Sequence, residues 1–209
     1  MAPFLFLTSN IEERFYMVKL TGNSLTIEKA KKVIFEFEKV EVLENVWDQV
    51  EASRKAVDVI VEDKRVVYGI TTGFGKFSDV FIDQCDVDEL QINLIRSHAC
   101  GVGEPFPEHV SRAMVLLRVN ALLKGFSGIR REAVELLINL LNNRIHPVVP
   151  QQGSLGASGD LAPLSHIALC LVGEGEVIYQ NERMATSKAF GVAGLQPITL
   201  KEKEGLALL

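Results

Sequence analysis

Residues 161–173, LAPLSHIALCLVG, are apolar on almost every face. A segment of this kind reads as a helix with no side to offer water, so other elements must wrap around it. The rest of the chain supplies such elements. TIEKAKKVIFEFEK (26–39) opens on a threonine suited to N-capping, with a glutamate in the first turn. Residues 43–62 carry apolar positions at Leu43, Val46, Val50, Ala56, Val57 and Ile60, again at mostly helical spacing. The stretch from Asp88 predicts a helix ending near Gly101, and Pro107 opens another that stops at Gly125. In REAVELLINLLNN (131–143), Val134, Leu137, Ile138 and Leu141 form a core-facing stripe. VKLTGN (18–23) and GEVIYQNERM (175–184) read as strand or hairpin, HPVVPQQGS (146–154) as extended, and KEKEGLALL (201–209) as the start of a helix. RVVYGITTGFGKFSD (65–79) reads as a short strand running into a glycine-broken loop. The expected class is therefore mainly α with a small β component.

Composition narrows the partners. Hydrophobic residues make up 47% of the 209 and charged residues 23%, which suits one globular domain. A net charge of -5 argues against nucleic acid, whose phosphates call for a basic field. No run approaches the ~20 apolar residues that cross a bilayer, so no membrane partner is expected. MAPFLFL at the start is short and no basic residue precedes it, Arg14 being the first, which does not fit a secretory signal. Residues 1–16 are expected to be an extension and 17–209 a single domain. The three cysteines form no CxxC pair, which fits a reducing compartment, the cytoplasm, and neither a disulfide framework nor zinc. The four histidines show no metal-ligand spacing either. The chain ends on an uncapped apolar LALL, an unusual place for a domain to stop, and this raises the expectation of a fragment.

The segment just before the apolar helix, GSLGASGD (153–160), is built almost entirely of small residues. A plain reading makes it a turn in which Ser158 or Asp160 caps the helix. A phosphate loop does not fit, because GK[ST] is missing and the glycines are not spaced G-x-G-x-x-G. A nucleophile elbow does not fit either, because Asp160 stands where the second glycine is needed. Smallness offers another chemistry. Attack of the Gly159 nitrogen on the Ala157 carbonyl carbon closes a five-membered ring around Ser158. Loss of water from the ring and from the serine leaves a conjugated, electrophilic methylidene group. Glycine has the least hindered nitrogen and best tolerates the compressed backbone.

GSLGASGDLAPLS resembles, position for position, the signature of the aromatic amino acid ammonia-lyases. The resemblance implies the N-terminal domain of that fold, lacking most of its C-terminal helical bundle. It implies that Ala157, Ser158 and Gly159 cyclise to 4-methylidene-imidazol-5-one (MIO), with Asp160 assisting. YGITTGFG (68–75) is similar to the family's other N-terminal landmark, which makes Tyr68 the catalytic base on a mobile loop, although a free tyrosine titrates only near ~10. Alone, Tyr68 would read as a core tyrosine. In RSHACGVG (96–103), the pair Ser97-His98 falls at the family's selectivity position. Phe-Leu is typical there of enzymes acting on phenylalanine, and histidine of those acting on histidine or tyrosine. His166 reads as a structural residue supporting the site from behind, and Asn120, in an otherwise apolar helix, calls for a buried partner.

By the same resemblance the electrophile captures the substrate amine and makes it a better leaving group, while the Tyr68 phenolate removes the β-proton. With L-histidine the product is urocanate, the first step of histidine degradation. The family's bundle supplies the arginine for the substrate carboxylate, the active site is shared among three subunits, and the full-length protein is expected to be a homotetramer. A chain ending at Leu209 is then expected to be inactive alone. Tyrosine ammonia-lyase or aminomutase chemistry is the alternative within the family. A non-catalytic helical oligomerisation module is the alternative outside it.

Overall fold

The computed structural model describes residues 17–73, 84–156 and 159–209, with the side chains of 84–86 left aside. The expected 1–16 extension and the residues Ala157 and Ser158 therefore lie outside the described residues. The chain begins with β1 (Val18–Leu20), α1 (Ile27–Phe35) and β2 (Val40–Val42). The two strands pair in parallel, Val18 opposite Val40, with α1 as the crossover. Thr26 caps α1 as expected, its hydroxyl accepting from the Lys29 amide. The helix ends earlier than its apolar spacing predicts, at Phe35. Phe37 takes a left-handed φ of 59°, turning the chain so that β2 can return beside β1.

Next come α2 (Glu44–Glu62) and α3 (Gln84–His98), which stops three residues short of Gly101. β3 (Val102–Pro105), α4 (Glu108–Leu122), α5 (Arg131–Asn142), β4 (His146–Pro147), β5 (Pro150–Gln152) and α6 (Leu161–Leu171) follow. The described chain closes with β6 (Glu176–Tyr179), β7 (Glu182–Ala185), α7 (Thr186–Ala193) and α8 (Glu204–Leu208). β3 pairs with β5, and β6 lies between β4 and β7 in a small antiparallel sheet. One reading is corrected here. Residues 68–71 form turns rather than a strand end. There Thr71 and Thr72 are buried, and their hydroxyls accept the Val67 and Gly69 amides, bonds that a strand would give to a neighbour. His146, at the start of the segment read as extended, belongs to β4, its backbone pairing with Ile178 of β6.

The helix that is apolar all round takes its expected place. In α6, Ala162, Pro163, Ser165, Ile167, Ala168, Cys170 and Leu171 are buried, with α3, α5 and α8 packed against it. Val134, Leu137, Ile138 and Leu141 of α5 are buried as their spacing predicts. On α2, Val46, Val50 and Val57 face the core beside Trp47, while Ala56 is turned to solvent.

Polar side chains make several of the joints. Asn142, the last residue of α5, accepts from the Val40 amide at 2.8 Å and donates to the Val40 carbonyl at 3.0 Å, closing the free edge of β2. The Glu204 carboxylate is fully buried, and it accepts from the Lys201 and Arg130 amides and from the Arg130 guanidinium. Gly205 is needed beside it, because a Cβ there would come within 2.9 Å of the Gln91 carbonyl of α3. The Gly205 amide donates to Gln91 Oε1 at 2.8 Å, which holds α8 against α3.

Candidate active site

The triplet segment is positioned from both sides. Before it, β5 leads into Gly153, whose φ of 140° is open only to glycine. After it, Gly159 has φ 118° and open space where a Cβ would stand. Asp160 occupies the N-cap position of α6 without capping it. Its carboxylate accepts instead from the Ser154 hydroxyl at 2.6 Å, bridging the two ends of the segment. The capping reading is thus half right: the position is the cap, but the carboxylate is spent on the loop. The small-residue backbone and the carboxylate beside it fit a triplet that closes on itself.

Ser97 and His98 form the C-terminal end of α3. The Ser97 hydroxyl donates to the Leu94 carbonyl at 2.8 Å and lies 3.0 Å from His98 Nδ1. His98 Nδ1 is also 2.8 Å from the Leu94 carbonyl. A carbonyl oxygen only accepts, so Nδ1 carries the proton and Nε2 is left as an acceptor. α3 packs along α6, the helix that follows the small-residue segment. His166 of α6 reaches across this seam, Nε2 accepting the Gly101 amide at 3.1 Å. Burial lowers the His166 pKa from its ordinary value.

Tyr68 is 57% exposed in its turn, not the buried core tyrosine that its sequence alone suggests. Most of the loop expected to carry it, from residue 74 onward, lies outside the described residues.

Sequence reasoning missed one feature. An open cavity of about 390 Å³ lies beside Ser154 and Asp160, walled by Met114, Leu117, Pro163 and Leu164 with Arg118 at its side. Arg118 Nε is buried without a partner among the described residues, and burial lowers the pKa of the group. Asn120 Oδ1, two residues on, is buried and unpartnered as well, so the partner expected for it is not among the described residues. The signal available in sequence was a pair of polar residues in an apolar helix. Among the described residues no group of histidine, cysteine and carboxylate side chains could hold a metal. No helix there is long and apolar enough to cross a membrane.

A mainly helical domain in which a small-residue segment leads into a buried helix, with a histidine-bearing helix packed along it, is the scaffold of a carbon–nitrogen lyase. Residues 25–209 match the aromatic amino acid lyase family, and the chain belongs to it. It is 64% identical over 193 residues to the histidine ammonia-lyase of Geobacillus sp. (strain WCH70), covering 92% of this chain and 38% of that protein. The crystal structure of histidine ammonia-lyase from Trypanosoma cruzi superposes with a TM-score of 0.84 at 40% identity, over 92% of this chain and 37% of that one. The tyrosine aminomutase of Streptomyces globisporus superposes equally well, at 0.84 and 39% identity, over 91% of this chain and 36% of that one. The chain thus spans little more than a third of the length of the relatives it matches, and it corresponds to their N-terminal portion.

Proposed function

We propose that this chain is the N-terminal, triplet-bearing part of a cytoplasmic ammonia-lyase that converts L-histidine to urocanate and ammonia, with residues 17–209 as its domain. The observation that carries the choice of substrate is the His98 ring. With Nδ1 held by the Leu94 carbonyl, Nε2 presents an acceptor to a donor on the substrate side chain. An imidazole N–H supplies that donor and a phenyl ring does not, so phenylalanine leaves a polar group unpaired. A phenol supplies it too, and the likeness to a tyrosine aminomutase supports tyrosine chemistry as the second reading. Identity to named histidine ammonia-lyases, 58% to 64%, favours histidine.

Ala157, Ser158 and Gly159 are the residues that form MIO, which supplies an electrophile toward the substrate amine. Asp160, held by Ser154, is placed to take and return protons during ring closure. Tyr68 serves as the base that removes the β-proton, and Ser97 with His98 orients the ring. The apolar cavity next to Asp160 and the unpartnered Arg118 and Asn120 support a further reading. This face is covered in the assembled enzyme, a homotetramer, by chain beyond these residues.

Ser158→Ala tests the assignment. It is expected to remove the near-ultraviolet absorption of the matured triplet, the loss of two waters in intact mass, and ammonia release from histidine together. Turnover retained in that variant refutes the reading. Tyr68→Phe is expected to keep the absorption and to lower kcat by at least about 100-fold, the contribution of a positioned general base.

A further inference from the structure

Three segments that the proposed reaction needs in register meet at one point of backbone, Gly101. α3 ends at His98 and leaves as Ala99-Cys100-Gly101. The Gly101 amide donates to His166 Nε2 at 3.1 Å, and a Cβ at Gly101 would stand 2.8 Å from that same nitrogen. From the other side comes Gly153, the first residue of the small-residue segment. A Cβ there would lie 2.9 Å from the Gly101 Cα. The Gly101 backbone is therefore enclosed between the strand that precedes the triplet and the helix that follows it. At Gly153, where the close atom is backbone and φ is 140°, a side chain is excluded, and at Gly101 a Cβ would displace the His166 ring from its bond.

The bond requires an unprotonated Nε2, which places the ring proton on Nδ1. Burial keeps the ring neutral, and no charged side chain contributes to its lowered pKa. The exposed Arg96–Glu174 ion pair joins α3 to the chain just after α6, so it supports the general approach of the two helices. The His166 bond ties the chain just past the helix end that bears the selectivity pair directly to α6.

We propose that His166 is a positioning residue for substrate selection: by accepting the Gly101 amide it sets where Ser97 and His98 stand relative to α6 and the Gly159 that precedes it. The proposal rests on the function argued above. His166 acts through backbone, so its loss disturbs the fit of the substrate ring more than the triplet's own chemistry.

The test compares His166→Phe and His166→Gln in the protein at the full length its gene encodes. Phe removes the acceptor and leaves the Gly101 N–H without its partner, which corresponds to about a tenfold rise in KM for histidine. Near-ultraviolet absorption stays intact, kcat changes less than KM, and discrimination between histidine and tyrosine narrows. Hydrogen exchange in a peptide covering residues 99–103 is expected to accelerate. Gln retains an acceptor that does not titrate, so it restores KM and slow exchange, and it removes the acid limb that His166 protonation adds to kcat/KM.

Unchanged KM, selectivity and exchange in the Phe variant overturn the proposal. So does loss of the near-ultraviolet absorption there, which would put the action of His166 on the triplet. If the Phe variant does not fold, a pH profile of kcat/KM in the Gln variant that superposes on that of the wild type overturns it. Absence of histidine turnover in the wild type is a different failure: it defeats the functional reading and the proposal with it, even where the exchange result stands.

Discussion

His146 shows how much one buried side chain can decide. Its ring is 5% exposed and faces Arg112, Arg144 and Glu108, and its Nδ1 has no hydrogen-bond partner among the described residues. Burial, then the two guanidinium charges, push its pKa down to about 4. The ring is thus neutral at pH 7, and its approach to Glu108 at 3.6 Å is no ion pair there. The folded pKa lies below the unfolded value near 6.5, so the unfolded chain takes up the proton first as pH falls. Stability is expected to be full above pH ~6.5 and to decline toward pH ~4 by at most about 3 kcal/mol from this group. Urea unfolding of wild type and His146→Tyr across that range checks it, with the variant expected to show a shallower decline.

At the scale of elements, the helices are tied by their ends. Arg112 of α4 is fully buried and makes no carboxylate ion pair among the described residues, with Glu108 acting on it only at longer range. It donates from Nε and Nη2 to the Val33 carbonyl near the end of α1, and from Nη1 to the Leu141 carbonyl near the end of α5. Two helix C-termini, each negative at that end, thereby share one guanidinium. Burial brings the Arg112 pKa down to about 10, still charged at pH 7. The Phe37 ring lies between this group and Arg144, 4.8 and 4.7 Å from ring centroid to guanidinium carbon. Arg112→Met is expected to leave the Val33 carbonyl without its guanidinium donors, while the Leu141 carbonyl keeps the Arg144 amide, and to cost about 2 kcal/mol in chemical denaturation. Arg112→Lys recovers only part of that, because an ammonium lacks the planar fork that spans the two ends.

At the scale of the molecule, the apolar cavity beside Asp160, with the exposed Leu117 in its wall, gives that face of the domain an interior character. The relatives extend well beyond the length matched here. The 209 residues purified alone are expected to produce no urocanate from histidine, on the expectation from the family resemblance that the arginine for the substrate carboxylate belongs to the helical bundle. Adding the remainder as a separate polypeptide is expected to restore urocanate absorbance. Turnover by the 209 residues alone would mean that carboxylate recognition lies within them.

Much of this was legible in sequence because it is local. The buried helix 161–171, the α5 stripe and the Thr26 cap follow from periodicity and from a hydroxyl one residue ahead of a helix. The candidate triplet and the Ser97-His98 pair were legible as motifs. Sequence could not say that Phe37 breaks α1, because that break answers to a strand partner on the far side of a crossover. Nor could it find the Asp160–Ser154 bond, the meeting of Gly101 with Gly153 and His166, or the sharing of Arg112 between two helix ends. Periodicity and small-residue motifs are properties of neighbours along the chain, so sequence alone determined the helices and the triplet. Which backbone amide meets which imidazole across two helices is set by packing, and only the tertiary structure decided it.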